Sequence, residues 1–390
     1  MTIADVLVIG GGPAGAAAAA RLAVGGLRVI LCERRREPER QVCGEFVSAA
    51  ATAELAALGV QPVRLGARPI VRARVRGQNS EVTAPLPFTG YGLSRACLDR
   101  TLRTIAARRG ADLRLGVGVR SIEGREGAWT TALSDGGRIE AGTVILATGK
   151  HDLRGHARAA RGGTPVVGFK MHYRLRPDAT AALQGTVELV LYDGGYAGLQ
   201  LIEGDVANLC LIMRADGVRG DGQAWQNALS YLRQAAPPLG ERLRDAAPLW
   251  QRPASIARVP YGYVCTRDAV RNGLYRVGDQ AAVIPSFAGE GIAIALQTAR
   301  RAADAVLAGQ AATDHVAAVR RDVLGPMRRV GLLEGVLRHR WLRRMGLRAA
   351  TVPCVVPLLA SLTRLAPPDQ QPAIPQARAF RPEPRSPDPG

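Results

Sequence analysis

A short apolar run at residues 4–9 ends in Gly10-Gly11-Gly12-Pro13-Ala14-Gly15, an alanine-rich stretch fills 16–24, and a second apolar run at 27–33 ends on Glu33. The pattern predicts a strand, a glycine turn, a helix and a second strand. Each glycine has a task in such a unit. Gly10 makes the tight turn, Gly12 lets the backbone approach a pyrophosphate, and Gly15 lets helix and strand pack closely. Pro13 and Ala14 open the helix, whose free N–H groups point at the phosphates. Glu33, with Arg34 beside it, offers a carboxylate to the adenosine ribose hydroxyls and disfavours a 2′-phosphate. A bare G-x-G-x-x-G is a weak match, but here strand, spacing and acidic residue agree, so FAD or NAD is the expected ligand.

A second glycine-bearing motif chooses between the two. Gly278-Asp279 follows an apolar run at 273–277, and Pro285-Ser286-Phe287-Ala288-Gly289-Glu290-Gly291-Ile292 opens a long helix at 290–308. An aspartate there binds a ribityl hydroxyl, and a helix N-terminus at a flavin's pyrimidine edge stabilises the anionic reduced ring. Together the motifs resemble the FAD-dependent aromatic hydroxylase superfamily, and Gly289-Glu290-Gly291-Ile292 resembles its geranylgeranyl-reductase-related branch. The resemblance implies an α/β fold: a Rossmann-like FAD-binding domain of glutathione-reductase type, an inserted, mainly antiparallel β-sheet substrate domain and a helical C-terminal region. The expected boundaries are 1–75, 91–160 and 265–310 for the FAD domain, 76–90 and 161–264 for the substrate domain, and 311–365 for the helices. Residues 366–390, rich in Pro, Gln and Arg, are expected to be disordered.

The same resemblance implies site residues. Cys43-Gly44-Glu45-Phe46 falls in the segment that passes near the flavin ring. Cys43 reads as a flavin-contacting thiol or as a small buried filler, and Glu45 as a proton donor or base or as an ordinary surface carboxylate. Pro285 joins them as a candidate catalytic residue. Arg95, in a segment with Ser94, Leu98 and Asp99, corresponds to an arginine beside the FAD phosphates, and Val119 is assigned to the cofactor as well. Ala147-Thr148-Gly149 sits where hydroxylases carry Ala-Asp-Gly. Thr148 in place of that aspartate leaves the electron donor open between NADH, NADPH and a separate reductase.

Strand periodicity adds candidates of its own. Alternation puts Lys170 and His172 on one strand face and Tyr173 on the other, the first face lining a substrate pocket or a solvent edge. Tyr192-Asp193-Gly194-Gly195-Tyr196 reads as a hairpin turn whose tyrosines reach toward that pocket.

The formal charge is +19, almost wholly from arginine, since Lys150 and Lys170 are the only lysines among 52 basic residues. With aromatics at 4% and no basic segment interleaved with them, nucleic-acid binding is set aside. The six cysteines show no metal-site spacing, and the N-terminal residues show no secretory pattern, so the cytoplasm is the expected compartment. Between Pro326 and Arg348, Val330, Leu333, Leu337, Trp341 and Met345 recur at helical spacing among arginines. Such a helix either packs its stripe on the domain or lies on an anionic membrane surface.

The leading functional reading is an FAD-dependent monooxygenase. Reduced FAD and molecular oxygen form a C4a-hydroperoxide that hydroxylates a lipophilic or aromatic substrate, phenolic or polyketide-like. The alternative is a flavin-dependent reductase that saturates polyprenyl double bonds. A halogenase fits less well, because no Trp-x-Trp-x-Ile-Pro segment is present. A third reading is a non-catalytic, membrane-associated lipid-binding protein on the same fold.

Overall fold

The computed structural model describes residues 2–38, 40–77, 80–159, 165–217 and 223–367. Most of the tail expected to be disordered lies outside the described residues.

The opening unit folds as its glycines require. Strand β1 (Thr2–Ile9) turns into helix α1 (Pro13–Val24) and returns as β2 (Val29–Glu33), parallel to β1. A Cβ on Gly15 would lie 1.8 Å from the Gly10 carbonyl oxygen, so only glycine lets α1 come this close to the turn. Two more helices follow, α2 (Ala49–Ala56) and α3 (Arg95–Arg108), the second N-capped by Ser94. Strands β6 (Asp112–Leu115), β7 (Val119–Arg125), β8 (Ala128–Leu133) and β9 (Arg138–Leu146) complete the first sheet in the order β6-β2-β1-β9-β8-β7, with Leu274–Arg276 pairing β9. The single strand read at 112–122 is thus two strands, broken where Gly116 takes φ +86°.

The second sheet is built from β3 (Phe46–Val47), β4 (Arg68–Arg76), β5 (Glu81–Gly92), β10 (Val166–Arg174), β11 (Gly185–Tyr192), β12 (Gly195–Leu201) and β13 (Ala207–Arg214). It is antiparallel except where β11 meets β4. The segment expected to join this sheet at 76–90 is too narrow: β4 belongs to it as well, so the inserted piece runs from Arg68 to Gly92. Alternating residues of β10–β13 face opposite ways. Phe169, Met171, Tyr192, Leu199 and Leu211 pack under helices α4 (Pro177–Leu183), α5 (Ala224–Ala235) and α6 (Pro237–Arg242). Leu189, Leu191, Tyr196, Gln200 and Ile212 face the other way, into a cavity.

Helix α7 (Gly291–Leu307) packs on α1 in the largest apolar core, and α8 (Ala312–Arg338) is tied to it by the buried Arg301–Asp322 ion pair. After a break at His339 the chain continues as α9 (Arg340–Ala349) and α10 (Val355–Leu362). Among the described residues no helix is long and apolar enough to cross a membrane.

Candidate functional site

Two hollows meet at one point. The first, about 210 Å³, lies over the glycine turn and is lined by Gly10, Gly12, Glu33, Arg34, Arg95, Val119, Ala147, Thr148 and Gly149. The second, about 310 Å³, lies between the two sheets and under the C-terminal helices, and takes in Cys43, Gly44, Glu45, Gly289, Gly291 and Ile292. Lys150 and Asp279 line both, so the hollows form one bent channel. Lys150 Nζ lies 3.5 Å from Asp279 Oδ2 and donates to the Val42 carbonyl at 3.2 Å.

The residues along the channel suit FAD. Glu33 sits at the tip of β2, accepting from Gly11 N at 2.7 Å and Arg35 N at 3.0 Å. The first turns of α1 and α7 have no side-chain cap, which leaves their N-terminal N–H groups for a ligand. A Cβ on Gly12 would meet nothing nearer than Arg95 Nη2 at 3.4 Å, so protein packing leaves the space above this glycine open for a phosphate. Arg95 is held at that edge by a bidentate pair with Asp99, at 2.8 and 2.9 Å, which keeps it fully charged. Arg103, two helical turns further along α3, donates to the Gly11 carbonyl at 2.8 Å. Pro13, Ala14 and Gly15 lie beneath the groove in α1, and Gly278 is buried, its N–H donating to Thr298 Oγ1 at 2.8 Å.

At the bend, the backbone of the Cys43–Glu45 loop is held from the second sheet. Asn208 Nδ2 donates to the Gly44 carbonyl at 2.8 Å and Gln200 Nε2 to the Glu45 carbonyl at 2.9 Å. Glu45 itself has φ +57°, a conformation that bulky side chains seldom adopt. Its carboxylate is buried and over-determined: Lys170 donates to Oε1, His172 Nε2 lies 2.7 Å from Oε2, and Arg95 N donates to Oε1 at 2.7 Å. Burial alone would push this carboxyl up, but the Lys170 ammonium and the His172 contact outweigh it and hold Glu45 below the usual carboxylate range. Glu45 is therefore an anion at neutral pH, suited to anchor or accept a proton rather than to donate one. Trp250 packs against His172, with ring centroids 4.4 Å apart and ring planes tilted by 41°.

Lys170 and His172 do share a face, as expected, but they clamp Glu45 rather than line the cavity. Of the hairpin tyrosines, only Tyr196 reaches the cavity wall. Tyr192 stands on the opposite sheet face, its hydroxyl donating to the Ile212 carbonyl at 2.9 Å, because the two positions differ in strand parity across the turn. Pro285 does not reach the wall either; its neighbours Ile284 and Ser286 do. Arg103, Lys150, Tyr261 and Arg364 line the two hollows as well and were not among the candidates the sequence offered. For Arg103 the signal was present, eight residues after Arg95 on one helix face. For Tyr261 and Arg364, brought in from a loop and from the C-terminal end, there was none.

Residues 3–151 match the family model described as FAD binding domain. A menaquinone reductase of Mycolicibacterium smegmatis is 28% identical over 341 residues, covering 79% of this chain and 77% of the relative. Digeranylgeranylglycerophospholipid reductase 2 of Methanosphaera stadtmanae is 26% identical over 328 residues, covering 80% and 79%. Among solved structures, a geranylgeranyl bacteriochlorophyll reductase-like protein of Thermoplasma acidophilum superposes with TM-score 0.71 at 18% identity, covering 94% of each chain. The flavin-dependent brominase Bmp2 gives 0.73 at 18%, covering 93% and 95%. With residues 3–151 matched to an FAD binding domain, and the whole fold shared with solved flavoproteins, the chain carries an FAD-binding domain and is an FAD-dependent oxidoreductase.

Proposed function

We propose that this protein is an FAD-dependent reductase that saturates a carbon–carbon double bond in the isoprenoid chain of a lipid. The observation that carries this reading is the cavity itself. From Cys43 and Asp279 it runs outward between Val75, Leu189 and Ile212 to Leu337, Leu347 and Leu359 of the C-terminal helices, apolar along almost its whole length. Such a wall suits a long hydrocarbon. The names of the sequence relatives support reduction over the oxygenation that the motifs alone favoured. The likeness to halogenases supports the fold.

Bound FAD, once reduced, would supply hydride. Gly12, Glu33, Arg95 and Asp279 would hold it, and Cys43, Gly44 and Gly289 would form the wall against which the chain lies. The test is anaerobic: the reduced, FAD-loaded protein is mixed with polyprenyl lipids, and flavin reoxidation is followed beside product mass. A gain of two hydrogens per turnover without oxygen is expected. Reoxidation that waits for oxygen and yields a hydroxylated product would instead establish the monooxygenase. Reduction by NADH, by NADPH or only through an added reductase identifies the electron donor.

The substrate's apolarity suggests contact with a membrane surface. The expected amphipathic stripe divides at His339: Val330 is buried and Leu333 and Leu337 line the cavity, whereas Trp341 (67% exposed) and Met345 face solvent. Leu332, Val352, Leu358, Leu359 and Leu362 are exposed nearby. Residues 323–365 hold eight arginines and one acidic residue, Glu334. Apolar side chains flanked by an excess of arginine over acidic residues suit an anionic bilayer. Arg343, paired with Asp193, fastens α9 to the substrate sheet beside the cavity. Sedimentation with vesicles rich in anionic lipid is expected to weaken by roughly 30-fold in the R344Q/R348Q variant, at about 1 kcal/mol per arginine. Equal pelleting of both proteins would remove the membrane from the proposal.

A further inference from the structure

The cavity wall carries one polar feature that the flavin site does not use. Tyr196, from β12, and Tyr261, from the loop before residues 263–264, both aim their hydroxyls at Ser286 Oγ, at 2.7 and 2.6 Å. All three residues line the cavity. Ser286 sits in the short turn before Gly289, and Tyr261 lies near enough to Asp279 to feel its charge, so the cluster stands at the flavin end of the hydrocarbon channel. Burial holds both phenols well above the ordinary tyrosine range, so all three groups are neutral hydroxyls at any physiological pH.

Counting protons shows what the cluster offers. Three hydroxyls bring three protons, and the two bonds to Ser286 use two of them. The third can turn to the neighbouring phenol or outward to an acceptor in the cavity, so an incoming oxygen is bonded without breaking either contact to Ser286. A neutral donor in an apolar channel selects an uncharged acceptor, since an anion would bring an unpaired charge into low dielectric. We propose that Tyr196, Tyr261 and Ser286 form a subsite for an uncharged oxygen on the substrate, a carbonyl, hydroxyl or ether oxygen at the head of the isoprenoid chain. This rests on the reductase reading and deepens it. An oxygen fixed at the flavin end sets the register of the chain, so that one double bond at a set distance from the head is presented for reduction, while the remainder extend toward the C-terminal helices.

The test compares three probes of equal chain length: a polyprenyl alcohol, a polyprenyl quinone and the polyprenyl hydrocarbon. Binding to the oxidised, FAD-loaded protein is read from the perturbation of the flavin spectrum, which requires no turnover. The Y196F and Y261F variants keep ring volume, and since each single loss, like that of S286A, still leaves one proton to spare, the three are combined in Y196F/Y261F/S286A. In that triple variant a buried ligand oxygen is stripped of its donor, which is expected to weaken binding of the alcohol and quinone by about tenfold or more, while the hydrocarbon changes little. S286A is also expected to move the ionisation of the two phenols further up in pH, since the serine contact favours their charged form. Equal weakening of all three probes, or of none, overturns the subsite. In turnover, the wild type is expected to saturate a single position of the alcohol and the quinone; saturation at random positions also overturns it. Should the binding pattern hold with no double bond reduced, the reductase reading fails alone and the oxygen subsite stands.

Discussion

Replacing Glu45 by glutamine is expected to lower the stability of the FAD-loaded protein by about 3–5 kcal/mol, the loss that follows when one partner of a buried ion pair is removed and the other stays charged. Lys170 is 1% exposed, and the Glu45 carboxylate is its only ion-pair partner among the described residues. Glutamine keeps the size and one acceptor but removes the charge, so the ammonium is stranded in a dry site. The loop geometry compounds the loss. Glu45 holds φ +57° because its carboxylate is gripped by Lys170, His172 and Arg95 N together, and a weaker grip frees the Cys43–Glu45 loop that lines the cavity. Denaturant titration read by tyrosine and tryptophan fluorescence measures the first effect, and the rate of FAD release the second. The double variant E45Q/K170M, with neither charge left, is expected to recover a large part of the stability. A double variant no more stable than E45Q would show that the ion pair is not the source of the loss.

The same carboxylate fixes a pH dependence. Its folded-state pKa lies below its unfolded value of 4.5, so the folded state binds fewer protons than the unfolded one in the acid range. Its contribution is complete above the ordinary carboxylate range and is lost as pH falls through the depressed value. Wild-type stability is therefore expected to decline more steeply below pH ~4.5 than that of E45Q, the two curves converging in acid. Parallel curves would place the acid sensitivity in other carboxylates.

What could be read in advance was local in the chain. The turn at Gly10–Gly15, Glu33 at the end of β2 and the motif at 278–292 are each contiguous, and their chemistry follows from backbone geometry that short spacing dictates. The alternation at Lys170 and His172 was legible for the same reason. Their partner was not, because nothing local links β10 to Glu45 more than a hundred residues earlier. Tyr192 and Tyr196 looked equivalent beside a hairpin, and only the register of β11 against β12 sends one to the helix layer and the other to the cavity. The strand β4 was assigned to the wrong lobe because its Arg-Val-Arg alternation carries no mark of which sheet it will join. Helices α8–α10 were visible as helices, yet their role as the far wall of the channel depends on Arg343 meeting Asp193 and Arg364 meeting Glu290 across the whole fold.

Two alanine substitutions three residues apart are expected to fail in different ways. In Gly12→Ala the new methyl meets only the far end of the Arg95 side chain, at 3.4 Å, and the backbone at φ −76° accepts alanine. The apoprotein should keep its fold. The methyl, however, projects into the open space that the proposed site gives to the cofactor pyrophosphate, and forcing a methyl into a filled contact costs about 1–3 kcal/mol. FAD affinity should drop by roughly tenfold to a hundredfold, with the thermal transition of the apoprotein unmoved. In Gly15→Ala the methyl lies 1.8 Å from the Gly10 carbonyl oxygen, a backbone atom that cannot turn aside. Helix α1 must then lift from the turn between β1 and α1, against the core it shares with α7, and the loss of stability should exceed about 3 kcal/mol whether or not FAD is added. Fluorescence titration with FAD and melting of the apoproteins separate the two outcomes. A Gly12→Ala protein that binds FAD as tightly as the wild type would mean that the pyrophosphate does not pass over this turn, and the channel would have to be filled by some other group.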